Sequence, residues 1–123
     1  MYAKIIYKAH NREGARNALQ PAVKKTGRTK GAARLADLST LEGCLSYIAA
    51  AISPDCSLVP GSDGWTAVLA SPTRVSHFSR LREVFGLIAP YMEDGTTIEL
   101  QPGKNIMTAE VSGGSFRWIE ELN

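Results

Sequence analysis

The sequence predicts one α+β domain: a mostly antiparallel sheet with a C-terminal three-strand meander, and two to three helices packed on one of its faces. Three observations predict it. The chain has 123 residues, the length of one domain. Its predicted strands come in consecutive pairs joined by short Gly/Pro turns, which favours antiparallel pairing. Its two clearest helices carry one apolar stripe each, so each has one face to bury.

Tyr2 to Ala9 reads as a strand, with Ile5 and Tyr7 on one side and Ile6 on the other. Asn11 can cap a helix in which Ala15, Leu19, Ala22 and Val23 recur at helical spacing. Pro21 lies inside that pattern and should kink or split it. Lys24 to Lys30 reads as a helix end and a basic loop, and residues 31–38 are ambiguous. Ser39-Thr40-Leu41-Glu42 has the form of a capping box with Ser39 as the cap. Leu41, Cys44, Leu45, Ile48 and Ile52 form the stripe of the helix that follows. Cys56–Val59 and Trp65–Ala70 should pair as a hairpin across Pro60-Gly61-Ser62-Asp63-Gly64.

Ser71 and Pro72 suit the start of a long helix with Val75, Phe78, Leu81, Val84, Phe85 and Ile88 on its apolar face. Pro90 stops it. The meander strands are 96–101, 105–111 and 115–119. Alternation turns Met107, Ala109 and Val111 inward and Ile106, Thr108 and Glu110 outward. If Ile98 and Leu100 face the core, Glu99 faces water, and Glu99, Thr108, Glu110 and Arg117 make a polar sheet face. Such a face is either simply solvated or a docking surface for a basic partner.

Composition is ordinary, with 44% hydrophobic and 21% charged residues, enough for a core without metal or disulfide. No apolar run reaches membrane-spanning length, and the first residues are too short and mixed for a signal peptide, so a cytoplasmic protein with no membrane partner is expected. Net charge is +2 but unevenly spread: residues 1–60 hold nine Lys/Arg and four Asp/Glu, and residues 61–123 hold five and eight. A polarised surface can orient a charged partner.

Catalytic chemistry finds little support. Cys44 and Cys56 fit no metal spacing and read as reduced, partly buried thiols. His10 and His77 have no Cys, Asp or Glu at ligand spacing, and His77 reads as a solvated surface histidine. There is no G-x-S-x-G elbow, and the glycine pairs lack a P-loop lysine. No enzyme, metal or cofactor is therefore expected. A small-molecule pocket would have to draw on His77, Glu83 or Tyr91. Lys24, Lys25, Arg28, Lys30 and Arg34 form a basic stretch suited to phosphates, the basis of an alternative reading as a nucleic-acid or regulatory module. That stretch lacks the interleaved aromatics of single-strand binders.

The run Val84-Phe85-Gly86-Leu87-Ile88-Ala89-Pro90-Tyr91-Met92-Glu93-Asp94-Gly95-Thr96-Thr97-Ile98-Glu99-Leu100, with Phe116-Arg117-Trp118-Ile119, resembles the helix exit and β-meander of immunity proteins from bacterial polymorphic or contact-dependent toxin systems. The resemblance covers the last third of the chain. It implies a 1:1 inhibitor of a cognate protein toxin, acting by blocking its active site or its access to a target. Such a role needs a few anchors and complementary charge rather than catalytic residues. Glu99, Glu110, Arg117, Tyr91, Trp65 and Trp118 are the candidate anchors, although both tryptophans are also expected in the core. A net charge of +2 departs from the acidic pattern of inhibitors that mimic nucleic acid, so only the acidic sheet face would suit a basic toxin.

Overall fold

The computed structural model describes residues 1–26, 36–53 and 55–121. It is an α+β fold with a six-stranded antiparallel sheet. The strands are β1 (Tyr2–Tyr7), β2 (Ser57–Pro60), β3 (Thr66–Ala70), β4 (Thr97–Gln101), β5 (Ile106–Glu110) and β6 (Ile119–Glu121). The helices are α1 (Arg12–Ala18), α2 (Gln20–Thr26), α3 (Leu41–Ile52) and α4 (Ser76–Ile88). Strand order is β2-β3-β1-β4-β5-β6, so the first strand stands in the middle, between β3 and β4. With the helices between β1 and β2 taken as one layer, the first part of the chain reads β-α-β-β-α-β, the split βαβ arrangement. β5 and β6 extend it as the meander.

Most elements follow from local rules. The Asn11 side chain accepts from the Gly14 backbone N–H at 2.9 Å and starts α1. The helical pattern divides at Leu19, because Pro21 has no N–H to continue the ladder but is tolerated in the first turn of a new helix. The split raises the number of helices to four, beyond the two or three expected.

The cap of α3 differs from the expectation. Thr40, not Ser39, accepts from the Gly43 N–H at 3.0 Å. The Ser39 hydroxyl and N–H are both turned to Asp37 Oδ1, at 2.6 and 3.0 Å, and hold that carboxyl below the usual carboxylate range. Glu42 does not reach back to the cap either. It accepts from the Tyr7 hydroxyl at 3.0 Å and pairs with Arg12, fastening α3 to β1 and α1.

The long helix begins at Ser76, later than Ser71-Pro72 suggested. The Ser71 N–H is held instead by the Ser53 hydroxyl at 3.0 Å, and Val75 is 68% exposed rather than on the apolar face. Phe78, Leu81, Val84, Phe85 and Ile88 are buried as the stripe requires. The final strand is also displaced. Residues 113–118 wrap around the end of α4, and pairing with β5 begins only at Ile119. Phe116 meets Phe85 edge-on at 5.0 Å between centroids, and Trp118 meets it at 6.1 Å. Burying aromatic area on α4 wins over extending a strand there.

The core lies on one face of the sheet. Ala3, Ile5 and Tyr7 of β1, Val68 and Ala70 of β3, Ile98 and Leu100 of β4, and Ala109 of β5 form one buried cluster with the helix stripes. Tyr7 is 1% exposed, and burial pushes its phenol up to about 12 against an ordinary value of 10.0. The neutral form is therefore favoured in the fold. Stability contributed by Tyr7 is full below pH 10 and is lost as pH rises from 10 to 12, where the unfolded chain ionises first. The slope should be about 1.4 kcal/mol per pH unit. Urea titrations at pH 9, 10, 11 and 12 test this, and the decline should be shallower in Tyr7→Phe. An unchanged slope in that variant would assign the alkaline loss to other groups.

Candidate functional site

Single-sided burial leaves the opposite face of the sheet without a covering layer among the described residues. Tyr2, Lys4 and Ile6 of β1 alternate with its buried residues and point to that face. Register extends the pattern outward. One row runs Ser57, Leu69, Lys4, Glu99, Thr108, Ile119, and the next runs Val59, Ala67, Ile6, Thr97, Glu110.

This open face is neither uniformly polar nor uniformly apolar. Val59 is 47% exposed, Leu69 39% and Ile119 54%, so three of the five large exposed hydrophobics of the described residues share it. Its charged groups include Lys4, Glu99, Glu110 and Glu121, with Lys8 beyond Ile6 in the same alternation and Arg117 beside Glu110. Lys4 Nζ stands 3.8 Å from Glu99 Oε2. The Tyr2 hydroxyl donates to Glu99 as well, and this bond, with a smaller contribution from burial, raises the Tyr2 phenol to about 12. Glu110 is exposed and makes no ion pair among the described residues. Between them a cleft of about 400 Å³ is lined by Lys4, Ile6, Glu99, Thr108, Glu110 and Ile119.

The six candidate anchors divide between the two sides of the molecule. Glu99 and Glu110 stand on the open face, on neighbouring strands. Arg117 is exposed beside it and lines a shallow depression with Glu110 and Ile119. Trp65 is half-buried at the end of the face, its ring edge 3.6 Å from where a Cβ on Gly95 would stand. Trp118 is half-buried on the helix side, with the Arg82 guanidinium 4.9 Å above its ring. Tyr91 is half-buried against Gly14, and its carbonyl accepts from the His10 and Asn11 N–H groups, so it anchors the start of α1. Trp118 and Tyr91 are thus not brought together with the glutamates. The apolar half of the open face, Val59, Leu69 and Ile6, was missed by sequence reading. Alternation alone marks these residues as facing away from the core, but not as neighbours.

Other candidates are scattered. His77 is in the first turn of α4 and Tyr91 lies beyond its other end, about 20 Å away at 1.5 Å per residue, so they line no common pocket. Glu83 pairs with Lys25 at 3.4 Å. Contrary to a simple solvated histidine, His77 is half-buried and its Nδ1 is buried without a hydrogen-bond partner among the described residues. Both cysteines are free thiols, and burial pushes each above its ordinary value, which keeps the reactive thiolate scarce. Among the described residues no His/Cys/Asp/Glu group is placed to hold a metal, and no helix is long and apolar enough to cross a membrane. Of the basic stretch, Lys24 and Lys25 occupy the last turn of α2, while Arg28, Lys30 and Arg34 lie outside the described residues.

A second cleft, of about 420 Å³, lies where α1 meets the start of α3. Its arginines are already engaged: Arg12 with Glu42, and Arg16 with the Leu38 carbonyl at 3.0 Å and the Asn17 side chain at 2.7 Å. Compared with protein-family models, curated proteins and solved structures, the chain matches none.

Proposed function

We propose that this protein is a stoichiometric protein-binding inhibitor, of the kind that gives a bacterial cell immunity to a cognate toxin in its cytoplasm, and that it docks through the open face of its sheet. One observation supports the docking surface above all: exposed Val59, Leu69 and Ile119 share a face with Glu99 and with Glu110, which has no ion pair among the described residues. An exposed apolar patch edged by polar groups is characteristic of protein-interaction sites. The toxin as partner rests on the resemblance of residues 84–100 and 116–119. Inhibition by occlusion needs no chemical step, in keeping with the dispersed histidines and the suppressed thiols.

The test is capture from the native host with tagged protein at moderate salt, with nuclease present, followed by co-expression. The proposal expects one protein at about 1:1, whose expression alone arrests growth and whose effect is relieved by this chain. Recovery of nucleic acid instead, or a captured protein with no growth effect, would overturn it. Glu99→Ala with Glu110→Ala should weaken the complex at least tenfold. Stability should change by less than about 1 kcal/mol, because the Lys4–Glu99 pair is a surface pair. Unchanged affinity in the double variant would remove the sheet face from the docking surface.

A further inference from the structure

We infer that residues 116–118 form a strap with two seats: docked on α4 through its rings, as in this structure, or zipped onto β5, where Arg117 faces Glu110. The strap belongs to the β5–β6 hairpin, so its two seats stand whether or not a partner docks on the open face.

The hairpin is in register at both ends and open in its middle. At its tip, Gly113 and Gly114 have φ 62° and 78°, the backbone of a tight two-residue turn. Ser112 and Ser115 on either side exchange both backbone hydrogen bonds, at 2.9 and 3.3 Å. At the other end Thr108 pairs with Ile119, Met107 with Glu120 and Ile106 with Glu121. Residues 109–111 separate the two ends on β5, and the equal run 116–118 separates them on the return, so both ends keep one register. None of the pairs between them is formed. Every second pair of an antiparallel ladder exchanges hydrogen bonds, which puts the missing rung at Glu110 and Arg117. Val111 donates to the Thr96 carbonyl at 2.8 Å, so by the same alternation Ala109 bonds β4 and Glu110 turns its N–H and C=O toward the strap. No backbone hydrogen bond joins Glu110 to Arg117 there. A depression of about 410 Å³ lies at the gap, lined by Glu110, Phe116, Arg117 and Ile119 among others.

Aromatic contacts hold the strap away from β5. Phe116 and Trp118 rest on Phe85 at 5.0 and 6.1 Å between centroids, and the Arg82 guanidinium lies 4.9 Å above Trp118. Such ring contacts and a pair of backbone hydrogen bonds are of the same order of strength. The two seats are therefore close in free energy, and no slip of register stands between them. Cross-strand partners share a face of the sheet. Closing thus sets Arg117 opposite Glu110 on the open face and fills the depression. Opening leaves Glu110 without an ion pair among the described residues.

The test is NMR of the isotopically labelled full chain. In the wild type, the amides of Glu110 and Arg117 should exchange with solvent at least tenfold faster than those of Thr108 and Ile119. Residues 110 and 116–118 should also show relaxation dispersion, the signature of a minor closed form. Phe116→Thr with Trp118→Thr removes both rings and keeps strand-forming side chains. In that variant exchange at 110 and 117 should slow at least tenfold, and Hα–Hα NOEs should join 109 to 118 and 111 to 116. Gly86→Ala acts the other way. A Cβ there stands 3.8 Å from the Phe116 ring, an ordinary contact that strengthens the open seat, and the dispersion should fall by at least half. Equal protection of 110 and 108 in the wild type would show a rung already closed. Flat dispersion in the wild type, dispersion unchanged by Gly86→Ala, or a folded double variant that stays open would show a fixed gap. Each of these outcomes overturns the inference. If the double variant does not fold, the wild type and Gly86→Ala decide it alone.

Discussion

Replacing Phe85 with alanine is expected to destabilise the protein by about 3–5 kcal/mol, the range for removing a fully buried aromatic ring. Phe85 is 0% exposed and belongs both to the core stripe of α4 and to an aromatic group outside it. Phe116 and Trp118 contact each other at 5.9 Å between centroids and both lean on Phe85. Phe85 is the ring that both aromatics of the segment leading to β6 share, so the cavity should loosen that segment before the rest of the sheet. Urea unfolding gives the total loss. Trp118 emission should shift to the red at denaturant concentrations where far-UV dichroism is still native. Phe85→Leu should retain most of the stability by filling most of the volume. A loss below about 1 kcal/mol for the alanine variant would show that the segment collapses into the space at small cost.

Gly43→Ala is expected to destabilise by about 3 kcal/mol, the upper part of the range for overpacking. Local propensity argues the other way, since alanine in place of glycine inside a helix is worth about 1 kcal/mol in favour of the helix. The tertiary contact decides the sign. A Cβ on Gly43 would stand 1.7 Å from the Asp37 carbonyl oxygen and 2.4 Å from its carbon. That carbonyl is not free to retreat, because it accepts from the Thr40 N–H at 3.2 Å and from the Thr40 hydroxyl at 3.0 Å. Relief requires breaking the turn that delivers the cap of α3. Thermal unfolding should show a fall in Tm of about 10 °C. A rise in Tm would mean that residues 36–40 can be rebuilt without loss.

If both variants behave so, the start of α3 depends on the turn at Asp37 and the end of α4 on the distant aromatics Phe116 and Trp118. Both lie away from the open face. Neither substitution should alter affinity for a partner under conditions where the variant remains folded, which separates damage to the scaffold from damage to the proposed docking surface.

Much of this was legible in the chain. Alternation in β1, β4 and β5 fixed which side chains are buried, because a strand turns every second residue to the same side whatever it pairs with. The stripes of α3 and α4, the cap at Asn11 and the break before Pro21 follow from helix geometry over a few residues. Glu99 and Glu110 were placed outward on the same grounds. Local pattern failed at Ser39, which turns to Asp37 two residues back, at Val75, left outside the helix it should have joined, and at residues 113–118, drawn onto α4 by the distant Phe85.

The sequence by itself determined the fold class, the two periodicities and the inward and outward sides of β1, β4 and β5, since these depend only on the spacing of side chains along the backbone. Only the tertiary structure decided that the first strand sits at the centre, between β3 and β4, because strand order is set by pairings between residues about sixty or more positions apart. That order places Leu69 and Val59 in the same rows as Glu99 and Glu110, and so brings onto one open face residues that no local pattern connects.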